Sequence, residues 1–581
     1  MRPVVALALL IVCGVVSTPS AVQDASPADW TKAHAIPLKT PVAGSGFEDM
    51  RPLERLVGGA RIVSLGEATH GTREFFQLKH RMLEFLASEM GFTIFSIEAN
   101  MPEAYQLNDY VLNGTGDPAE LLRGMFFWTW DTEEVLAMIK WMRAFNASGR
   151  GRVQFTGFDM QTPTVAGRIV NDFVAKYDAD FAESVQLATK AINVAPQPTA
   201  SGSAFALAAG SFPVAAAAGK RIRFSGYIKT DAVADGYAGL WWRVNGPDGK
   251  VLAFDNLQAR GPRGTSDWTR YEIDLPVAAE ATNITFGLLM PGRGTAWFDD
   301  LAIDIDGQPY ANPIYDFGFE SGSLRGLSTN GAGYEFSVVT PVARTGTHSL
   351  RITGAPLAST PAVSSGPPAT AVVTSWTDVV SRLEAGQAKY RTSGAADAQI
   401  AWAIQNARVA LQCAEMRAGQ ASRDHSMAVN VKWILDQDPK AKIVLWAHNG
   451  HVASGGFDYE TMGAALRKMY GQQMVIFGFA FSEGSFQAIP QAGGRLMTFT
   501  VPPAPAGSLD ATLAAAGVPL FALDLRQAPP WFREPHGTRM IGAVYPEGQP
   551  FAFMMDLRAP SAYDAMLFVQ KTTAAVKNPG R

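Results

Sequence analysis

Two kinds of hydrophobic pattern alternate along the chain. In residues 50–180 and about 370–581, short apolar runs rich in β-branched and aromatic residues alternate with longer stretches of helical period. Five of these runs are apolar enough to be parallel strands buried on both faces: 61–65, 92–97, 153–157, 442–447 and 474–478. Between them, helices are predicted over 72–86 (with a stop at Gly91), 132–145 and about 397–417. This alternation predicts an α/β fold with a mostly parallel central sheet flanked by helices.

Residues 195–360 have a different pattern, rich in Gly and Thr, with short segments separated by turn signals. Residues 221–229 and 269–275 alternate with period two, and 245–249 is typical of a strong turn. The spacing predicts an inserted all-β, jelly-roll-like sandwich. Ala-, Pro-, Ser- and Gly-rich stretches at 195–218 and 355–371 suit linkers on either side.

The order of segments in this insert is unusual. Residues 317–322 and 345–352 look like the opening strands of a jelly-roll carbohydrate-binding module, yet they come after the part that looks like its closing strands. A circularly permuted sandwich is one hypothesis, and two incomplete modules are the alternative. The predicted organisation is a signal peptide at 1–22, a first catalytic part at 28–190, the sandwich at 195–360 and a second catalytic part at 370–581.

The N-terminus has a basic start, an apolar run over 4–16 and small residues after it, which is typical of a secretory signal peptide. It predicts an exported protein, periplasmic or extracellular, with no stable membrane association after cleavage; an uncleaved anchor is the alternative. Cleavage would leave one cysteine, Cys413, in a helical pattern without an adjacent basic residue. Such a thiol is expected in the core rather than as a nucleophile.

Composition narrows the class of partner. The 581 residues are 47% hydrophobic and 18% charged, which is typical of a globular protein. The net charge is -4, and the chain has no basic stripe with interleaved aromatic residues, so nucleic acid is not expected as a partner. A small-molecule substrate fits this composition, and the oligomeric state is left open.

Polar side chains come directly after several of the predicted strands. In a parallel α/β sheet, ligands bind beyond the carboxyl ends of the strands, so residues there are candidates for chemistry. The candidates are Glu67 and His70 after the first strand, Glu98 after the second, and His448 and His451 after the fourth. Other residues in such positions are Asp159, for which a helix N-cap or a salt-bridge partner of the next helix is an equally good interpretation, and Ser482 and Glu483. Three other histidines are expected to have structural roles: His80, His348 and His425.

The chemistry of these residue types favours hydrolysis. A histidine can take a proton from water near neutral pH, a carboxylate behind it fixes its tautomer, and further histidines can stabilise an oxyanion. The chain has no Gly-x-Ser-x-Gly elbow, Walker loop or dinucleotide fingerprint, and no cofactor is predicted. The same five residues could alternatively bind zinc, manganese or iron. A non-catalytic sugar-binding protein is a third interpretation.

Several of these segments together resemble the erythromycin esterase family. The resemblance rests on residues 64–81, 91–100, 157–161, 423–428 and 446–451, in collinear order, and covers roughly 40–185 and 375–575. It implies hydrolysis of an ester, in characterised members the macrolactone of 14-membered macrolides, and so a contribution to antibiotic resistance. Water would be activated at a histidine without a required metal.

The resemblance also implies roles for individual residues. His70 would be the general base, with Glu67 and Glu98 beside it and His448 and His451 lining the same cleft. Three residues are expected to contact substrate. Lys79 occupies a position where the family has a basic residue, and Trp128 and Trp130 would form walls of the cleft. The export signal and the insert favour a glycosidic or polymer-linked ester over a macrolide.

Overall fold

The computed structural model describes residues 26–194, 205–246, 251–312, 315–331, 333–354, 367–457, 459–491, 494–548 and 550–578. The predicted signal peptide therefore lies outside the described residues, as do most of the predicted turn at 245–249 and residues 355–366 of the second predicted linker. Within the described ranges, no helix is both long and apolar enough to cross a membrane.

The first part of the chain alternates strands and helices. Its elements are α1 Pro27–His34, β1 Ile36–Pro37, α2 Leu53–Val57, β2 Ile62–Leu65, α3 Arg73–Met90, β3 Ile94–Asn100, α4 Met101–Asn113, α5 Pro118–Arg123, α6 Glu133–Ala147, β4 Gln154–Asp159, α7 Thr164–Tyr177 and α8 Ala179–Val194. Helix α3 ends where predicted, because Gly91 adopts a left-handed conformation (φ 72°) in which its N–H bonds back to Leu86.

The middle part is almost entirely β. Its elements are β5 Phe205–Ser211, α9 Val214–Ala217, β6 Arg221–Ala234, β7 Gly239–Asn245, β8 Val251–Asp255, β9 Gly264–Pro276, β10 Asn283–Pro291, β11 Arg293–Ile305, β12 Gln308–Tyr310, β13 Ser328–Asn330, β14 Tyr334–Val339 and β15 Ser349–Gly354. The alternating segments of the sequence account for β6, β7, β9 and β10. Alternate side chains are buried along much of β6, β7 and β10, whereas β9 buries only Ile273.

The last part returns to alternating strands and helices. Its elements are α10 Ala369–Ala385, α11 Gln387–Thr392, α12 Asp397–Arg417, α13 Arg423–Asp436, β16 Ile443–Trp446, α14 Asn449–Val452, α15 Met462–Tyr470, a 3₁₀ turn Gly471–Gln473, β17 Met474–Pro490, β18 Met497–Val501, α16 Leu509–Ala515, β19 Leu520–Asp524, α17 Pro530–Arg533, β20 His536–Arg539, β21 Val544–Tyr545, β22 Met554–Leu557, α18 Ala559–Ala562 and β23 Ala565–Thr572.

A central sheet joins the first and last parts, in the order β1-β19-β23-β17-β2-β16-β3-β4. From β23 to β4 neighbouring strands are parallel, whereas β19 and β1 are antiparallel at one edge. Consecutive residues of β2, Ile62 and Val63, belong to two different buried clusters, one on each face of the sheet. Burial on both faces explains why these runs are apolar throughout, and the mixed α/β fold is confirmed.

One strand of this sheet is much longer than the sequence predicts. The apolar run 474–478 is only the beginning of β17, which extends to Pro490 because β23 and β18 pair along its second half. Ser482 and Glu483 therefore lie inside a strand, and the prediction that they come after a strand end is wrong.

The middle part forms two antiparallel sheets around one buried cluster of its own, all of whose members lie between 206 and 352. Five strands lie in the order β13-β5-β10-β7-β8, and the others in the order β14-β15-β11-β6-β9 with β12 beside β11. Because β13 pairs with β5 and β15 with β11, the later residues complete sheets that the earlier ones begin. The alternative of two incomplete modules is therefore wrong.

Two local predictions for the insert are also wrong. Strand β5 lies within the predicted linker 195–218, because its inward positions are small (Ala206, Ala208 and Gly210) and conceal the strand in an Ala- and Gly-rich composition. Residues 317–322 form no strand; Phe319 is fully buried in the core of the insert from a turn.

Candidate active site

Three neighbouring strands place the predicted residues at one edge of the sheet. Strand β16 lies between β2 and β3, so residues distant in sequence emerge side by side. Glu98 lies inside β3 rather than after it; the pairing of β3 with β4 slips just there, an irregularity that re-aims side chains. The five residues predicted as catalytic, Glu67, His70, Glu98, His448 and His451, are thereby brought together.

Glycines bring the chain of the first segment close to its neighbours. A Cβ at position 66 would lie 2.1 Å from Oδ1 of Asn449, and one at 71 would lie 2.3 Å from the carbonyl oxygen of Gln487. Any larger residue at Gly66 or Gly71 would force these groups apart. The segment between them, which carries the first candidate pair, is fixed against β17 and the turn after β16.

Glu67 and His70 form a hydrogen-bonded pair. Nδ1 of His70 lies 2.7 Å from Oε1 of Glu67, which is fully buried, whereas the imidazole is 14% exposed. Burial opposes the charge of Glu67, but Lys79 and His70 outweigh it and lower the pKa of the carboxyl. The ionised carboxylate can only accept, so Nδ1 carries the proton. Within the described residues the other ring nitrogen, Nε2, takes part in no hydrogen bond.

Lys79 acts on Glu67 and cannot contact a substrate. Its Nζ lies 2.5 Å from Oε2 of Glu67, where Nε1 of Trp446 also donates at 2.7 Å. The side chain is fully buried, with Nζ 4.3 Å from the centre of the Trp446 ring. Burial lowers the pKa of Lys79 to about 8, although Glu67 favours its charged form. The prediction of Lys79 as a substrate-binding residue is corrected: it positions Glu67.

The two tryptophans predicted as cleft walls differ. Trp130 is 2% exposed and packs edge-on against Trp446, with ring centres 5.0 Å apart, so it lies a layer behind Glu67. As a substrate contact Trp130 is therefore wrong; it belongs to the core. Trp128 is partly exposed, and its contact with substrate stays a prediction.

His448 lies beside His70 but cannot transfer protons. Its Nδ1 accepts a hydrogen bond from the N–H of Gly450, and its Nε2–H donates to the carbonyl of Ile541, both at 3.2 Å. Burial, with His70 and His451 nearby, lowers its pKa to about 3. Both nitrogens are engaged and the ring stays neutral, so the predicted catalytic role becomes a positioning role, 5.1 Å from the His70 ring.

A second cluster is built around Arg423, at the start of α13. Its Nη2 donates to Oε1 of Glu98 and to Oδ2 of Asp159, each at 2.7 Å. Burial opposes the charge of Arg423, but the two carboxylates outweigh it and raise its pKa. The pKa of Glu98 is lowered, because His451 and Arg423 outweigh its burial. Asp159 is thus an ion-pair partner, as one of its two structural interpretations holds, although its partner lies on α13 rather than on the next helix. The other interpretation, an N-cap, is wrong.

His451 completes this cluster. Its Nδ1 lies 2.9 Å from Oδ1 of Asp424, and its Nε2 lies 3.0 Å from Nη1 of Arg423 and 3.4 Å from Oε1 of Glu98. Burial disfavours the imidazolium, but Glu98 and Asp424 outweigh burial and raise the pKa of His451. At 19% exposure this ring reaches the cleft. Because a guanidinium can only donate, Nε2 of His451 accepts from Arg423 in this arrangement, and its Nδ1–H donates to Asp424.

The metal alternative finds no support in the geometry. Among the described residues, no group of three or more His, Cys, Asp or Glu side chains is arranged to hold a metal ion. The guanidinium of Arg423 fills the space between Glu98, Asp159 and His451 instead. These residues therefore do not fit a metal site.

The residues expected to be structural take part in none of the hydrogen bonds and ion pairs described above. Cys413 is buried in the core, where burial raises the pKa of its thiol to about 11. Burial likewise lowers the pKa of His80 to about 4. His348 and His425 lie on the surface, near Glu320 and Glu460.

Sequence reasoning missed three residues of the site: Arg423, Asp424 and Trp446. The segments 423–428 and 446–451 are among those carrying the resemblance, so a signal is present, but it assigns them no role. Arg423 and Trp446 act on carboxylates more than 300 positions away in sequence, which spacing alone cannot reveal.

Comparison with known proteins identifies the family. The sequence model described as Erythromycin esterase matches residues 87–221 and 344–572, more than half of the chain. The unmatched interval falls within the sandwich, and Glu67, His70 and Lys79 precede the matched residues.

Two curated relatives share part of the sequence. Erythromycin esterase type II of Escherichia coli is 30% identical over 173 residues, 29% of this chain and 40% of that protein. The putative hydrolase YbfO of Bacillus subtilis is 32% identical over 161 residues, 27% of this chain and 35% of that protein. The chain thus spans well under half the length of these relatives.

Solved structures share the fold. A Bacillus cereus protein has a TM-score of 0.59 at 19% identity, covering 95% of this chain and 98% of that one. A mutant of the erythromycin esterase EreC in its open conformation has a TM-score of 0.51 at 14% identity, covering 92% and 95%. Because the family model matches more than half of the sequence, the chain belongs to the erythromycin esterase family.

Proposed function

We propose that this protein hydrolyses an ester with water activated by His70. The observation that carries the proposal is the 2.7 Å contact between Nδ1 of His70 and the buried carboxylate of Glu67. A carboxylate behind the ring fixes the tautomer in which Nε2 has the free lone pair, and it supports the imidazolium that forms after proton transfer. By contrast, both ring nitrogens of His448 are engaged.

The reaction balances with these residues alone. Nε2 of His70 takes a proton from water while the water oxygen forms a bond to the ester carbonyl carbon. The tetrahedral oxyanion then collapses, the bond to the alkoxy oxygen breaks, and His70 returns its proton to that oxygen. The products are an acid and an alcohol.

The positive charge of Arg423 favours the oxyanion. Its Nη1 lies 3.0 Å from Nε2 of His451, the nitrogen to which it donates. Preorganised donors aimed at developing charge contribute more to catalysis than any other single effect in many enzymes. Glu98 holds both residues in place through its contacts with them.

The substrate and the location of the enzyme are the finer part of the proposal. The name of the Escherichia coli relative supports a macrolide lactone as one candidate. The apolar N-terminal run supports export to the periplasm or beyond, where the inserted sandwich would meet glycans and esters attached to them. A macrolide lactone would connect the activity to antibiotic resistance.

Replacing the base tests this function. His70→Asn keeps a side-chain donor toward Glu67 but removes the basic nitrogen. His348→Asn is the matched control, because His348 is a partly exposed histidine of the inserted sandwich. Both proteins are assayed for acid release from 14-membered macrolides and acylated sugars. We expect His70→Asn to lose at least about 10²-fold in kcat, in the range of a general base, and His348→Asn to keep wild-type rates. Full activity of His70→Asn would refute the assignment.

A further inference from the structure

The outer face of the five-stranded sheet in the insert departs from the pattern of a sandwich. Side chains facing outward normally alternate with core residues and are polar. Here the outward positions of β5, β7 and β10 include Phe205, Leu207, Trp241 and Leu289. Phe205 is 38% exposed, and on β8 the side chain of Phe254 is 49% exposed. An exposed apolar patch of this kind marks a surface that binds something.

The two ends of this face differ. At one end, Ser211 and Thr285 of the sheet and the segment 553–556 of the last part of the chain line a small cavity of about 210 Å³. The other end forms a larger groove of about 810 Å³, lined by the apolar residues above together with polar residues from neighbouring loops. This volume lies in the range of small-ligand sites rather than of flat protein interfaces.

Trp241 lies at the bottom of this groove, on the outer face of the sheet. It faces Gly287 directly on the neighbouring strand. A Cβ at position 287 would lie 2.8 Å from Nε1 of the indole and 2.0 Å from the carbonyl of Ala208, so only glycine leaves room for the ring. Nε1 has no hydrogen-bond partner in the described residues. The indole is therefore held by packing and offers its ring surface to the groove.

Polar groups beside this ring surface keep hydrogen-bonding capacity. Arg243 uses Nε to bond Asn245 at 2.9 Å, and within the described residues its two terminal nitrogens donate to no protein acceptor. Asn256 uses Oδ1 to accept from the backbone N–H of Gln258, which leaves its amide NH₂ for another acceptor. The groove thus combines a flat aromatic surface with donors at its edge.

We propose that this groove binds a glycan chain built of pyranose rings. A pyranose has an apolar C–H face, which suits the Trp241 ring, and hydroxyl groups around its edge, which suit Arg243, Asn256 and Gln258. A purely apolar partner surface would cover these donors without pairing them, at a cost in free energy. The site is separate from the His70 cleft and does not depend on the proposed esterase activity.

Binding of defined oligosaccharides to the full-length chain tests this site. The probes are hexamers of β-1,4-linked glucose, β-1,4-linked xylose and α-1,4-linked galacturonic acid, titrated by calorimetry. At least one is expected to bind with Kd below about 1 mM. Trp241→Ala should weaken that binding at least about tenfold, as truncation of a central aromatic anchor does. Trp241→Phe, which keeps a smaller ring, should recover part of it.

Two controls separate this site from the others. Trp268→Ala removes a partly exposed tryptophan of the other sheet, outside the groove, and should bind like the wild type. His70→Asn should also bind normally, and Trp241→Ala should hydrolyse small soluble esters normally. Binding unchanged in Trp241→Ala, or no binding of any probe at about 1 mM, overturns the proposal. A dimer in sedimentation that Trp241→Ala dissociates would show a self-association surface instead, and would also overturn it.

Discussion

Replacing Lys79 with methionine tests whether a buried cation holds the catalytic carboxylate ionised. Methionine fills similar space but carries no charge. Both Lys79 and Glu67 are fully buried, with Nζ and Oε2 2.5 Å apart. The variant leaves Glu67 with the Trp446 and His70 hydrogen bonds but no full positive charge.

The expected loss of stability is large. Removing one partner of a buried ion pair leaves an uncompensated charge, which costs about 3–5 kcal/mol in the free energy of unfolding. The matched control is Lys432→Met, which breaks a pair with Asp436 of the same 2.5 Å length whose side chains are each about half exposed. That exposed pair is worth only about 0–1 kcal/mol.

The variant should also shift the pH dependence of activity. Lys79 is the strongest of the influences that lower the pKa of Glu67. Without it this pKa rises, and the hydrogen-bonded pair of Glu67 and His70 takes up a proton more readily, so activity is lost at a higher pH than in the wild type. One pKa unit corresponds to about 1.4 kcal/mol, so losing even half of the pair energy moves the acid limb of kcat/KM upward by about one unit or more.

Urea denaturation and the pH profile of kcat/KM measure the two effects. If Lys79→Met and Lys432→Met are destabilised equally, by less than about 1 kcal/mol, burial does not strengthen the pair and the reasoning fails. An acid limb that stays in place would show that the charge of Lys79 does not act on the pair of Glu67 and His70.

Three further changes give sharp expectations. Trp446→Phe removes the indole N–H that Glu67 accepts at 2.7 Å, so it should cost about 1–3 kcal/mol of stability and lower kcat without raising KM. Arg423→Lys replaces a planar guanidinium that binds Glu98 and Asp159 at once, so kcat/KM should fall. A circular dichroism spectrum like that of the wild type is the control for folding. Asp556 has a pKa raised to about 6 by burial, and neither carboxylate oxygen is hydrogen-bonded in the described residues. A raised native pKa means that stability falls as pH rises from about 4 to 6, so Asp556→Asn should gain up to about 3 kcal/mol at pH 7.5 and nothing at pH 4, measured by denaturation at both values.

The sequence predicts the α/β part well because its signals are local. The strand at 61–65 and the helix at 397–417 are close to β2 and α12, since an apolar run or a helical period reports burial directly. The extension of β17 depends on partners far along the chain, and β5 is hidden by small residues, so neither is visible in a local pattern.

The sequence predicts where the site lies, but it predicts the roles of the individual residues less well. Strand order at the carboxyl edge explains why Glu67, His70 and Glu98 could be found among the polar residues near the ends of the strands. The roles of the other residues depend on how they are packed. Lys79 is fully buried and cannot reach substrate, and both ring nitrogens of His448 are hydrogen-bonded within the protein. Such differences arise from packing, which residue spacing does not encode.

Oxygen labelling in a single turnover tests the central claim, that water activated by His70 attacks the ester directly. Enzyme in excess over an ester that the wild type hydrolyses is mixed in H₂¹⁸O, and the acid product is analysed by mass spectrometry. Direct attack by water predicts one ¹⁸O in the acid from the first turnover. An unlabelled acid in the first turnover, with label appearing only later, would mean that an enzyme carboxylate is the nucleophile and would contradict the account.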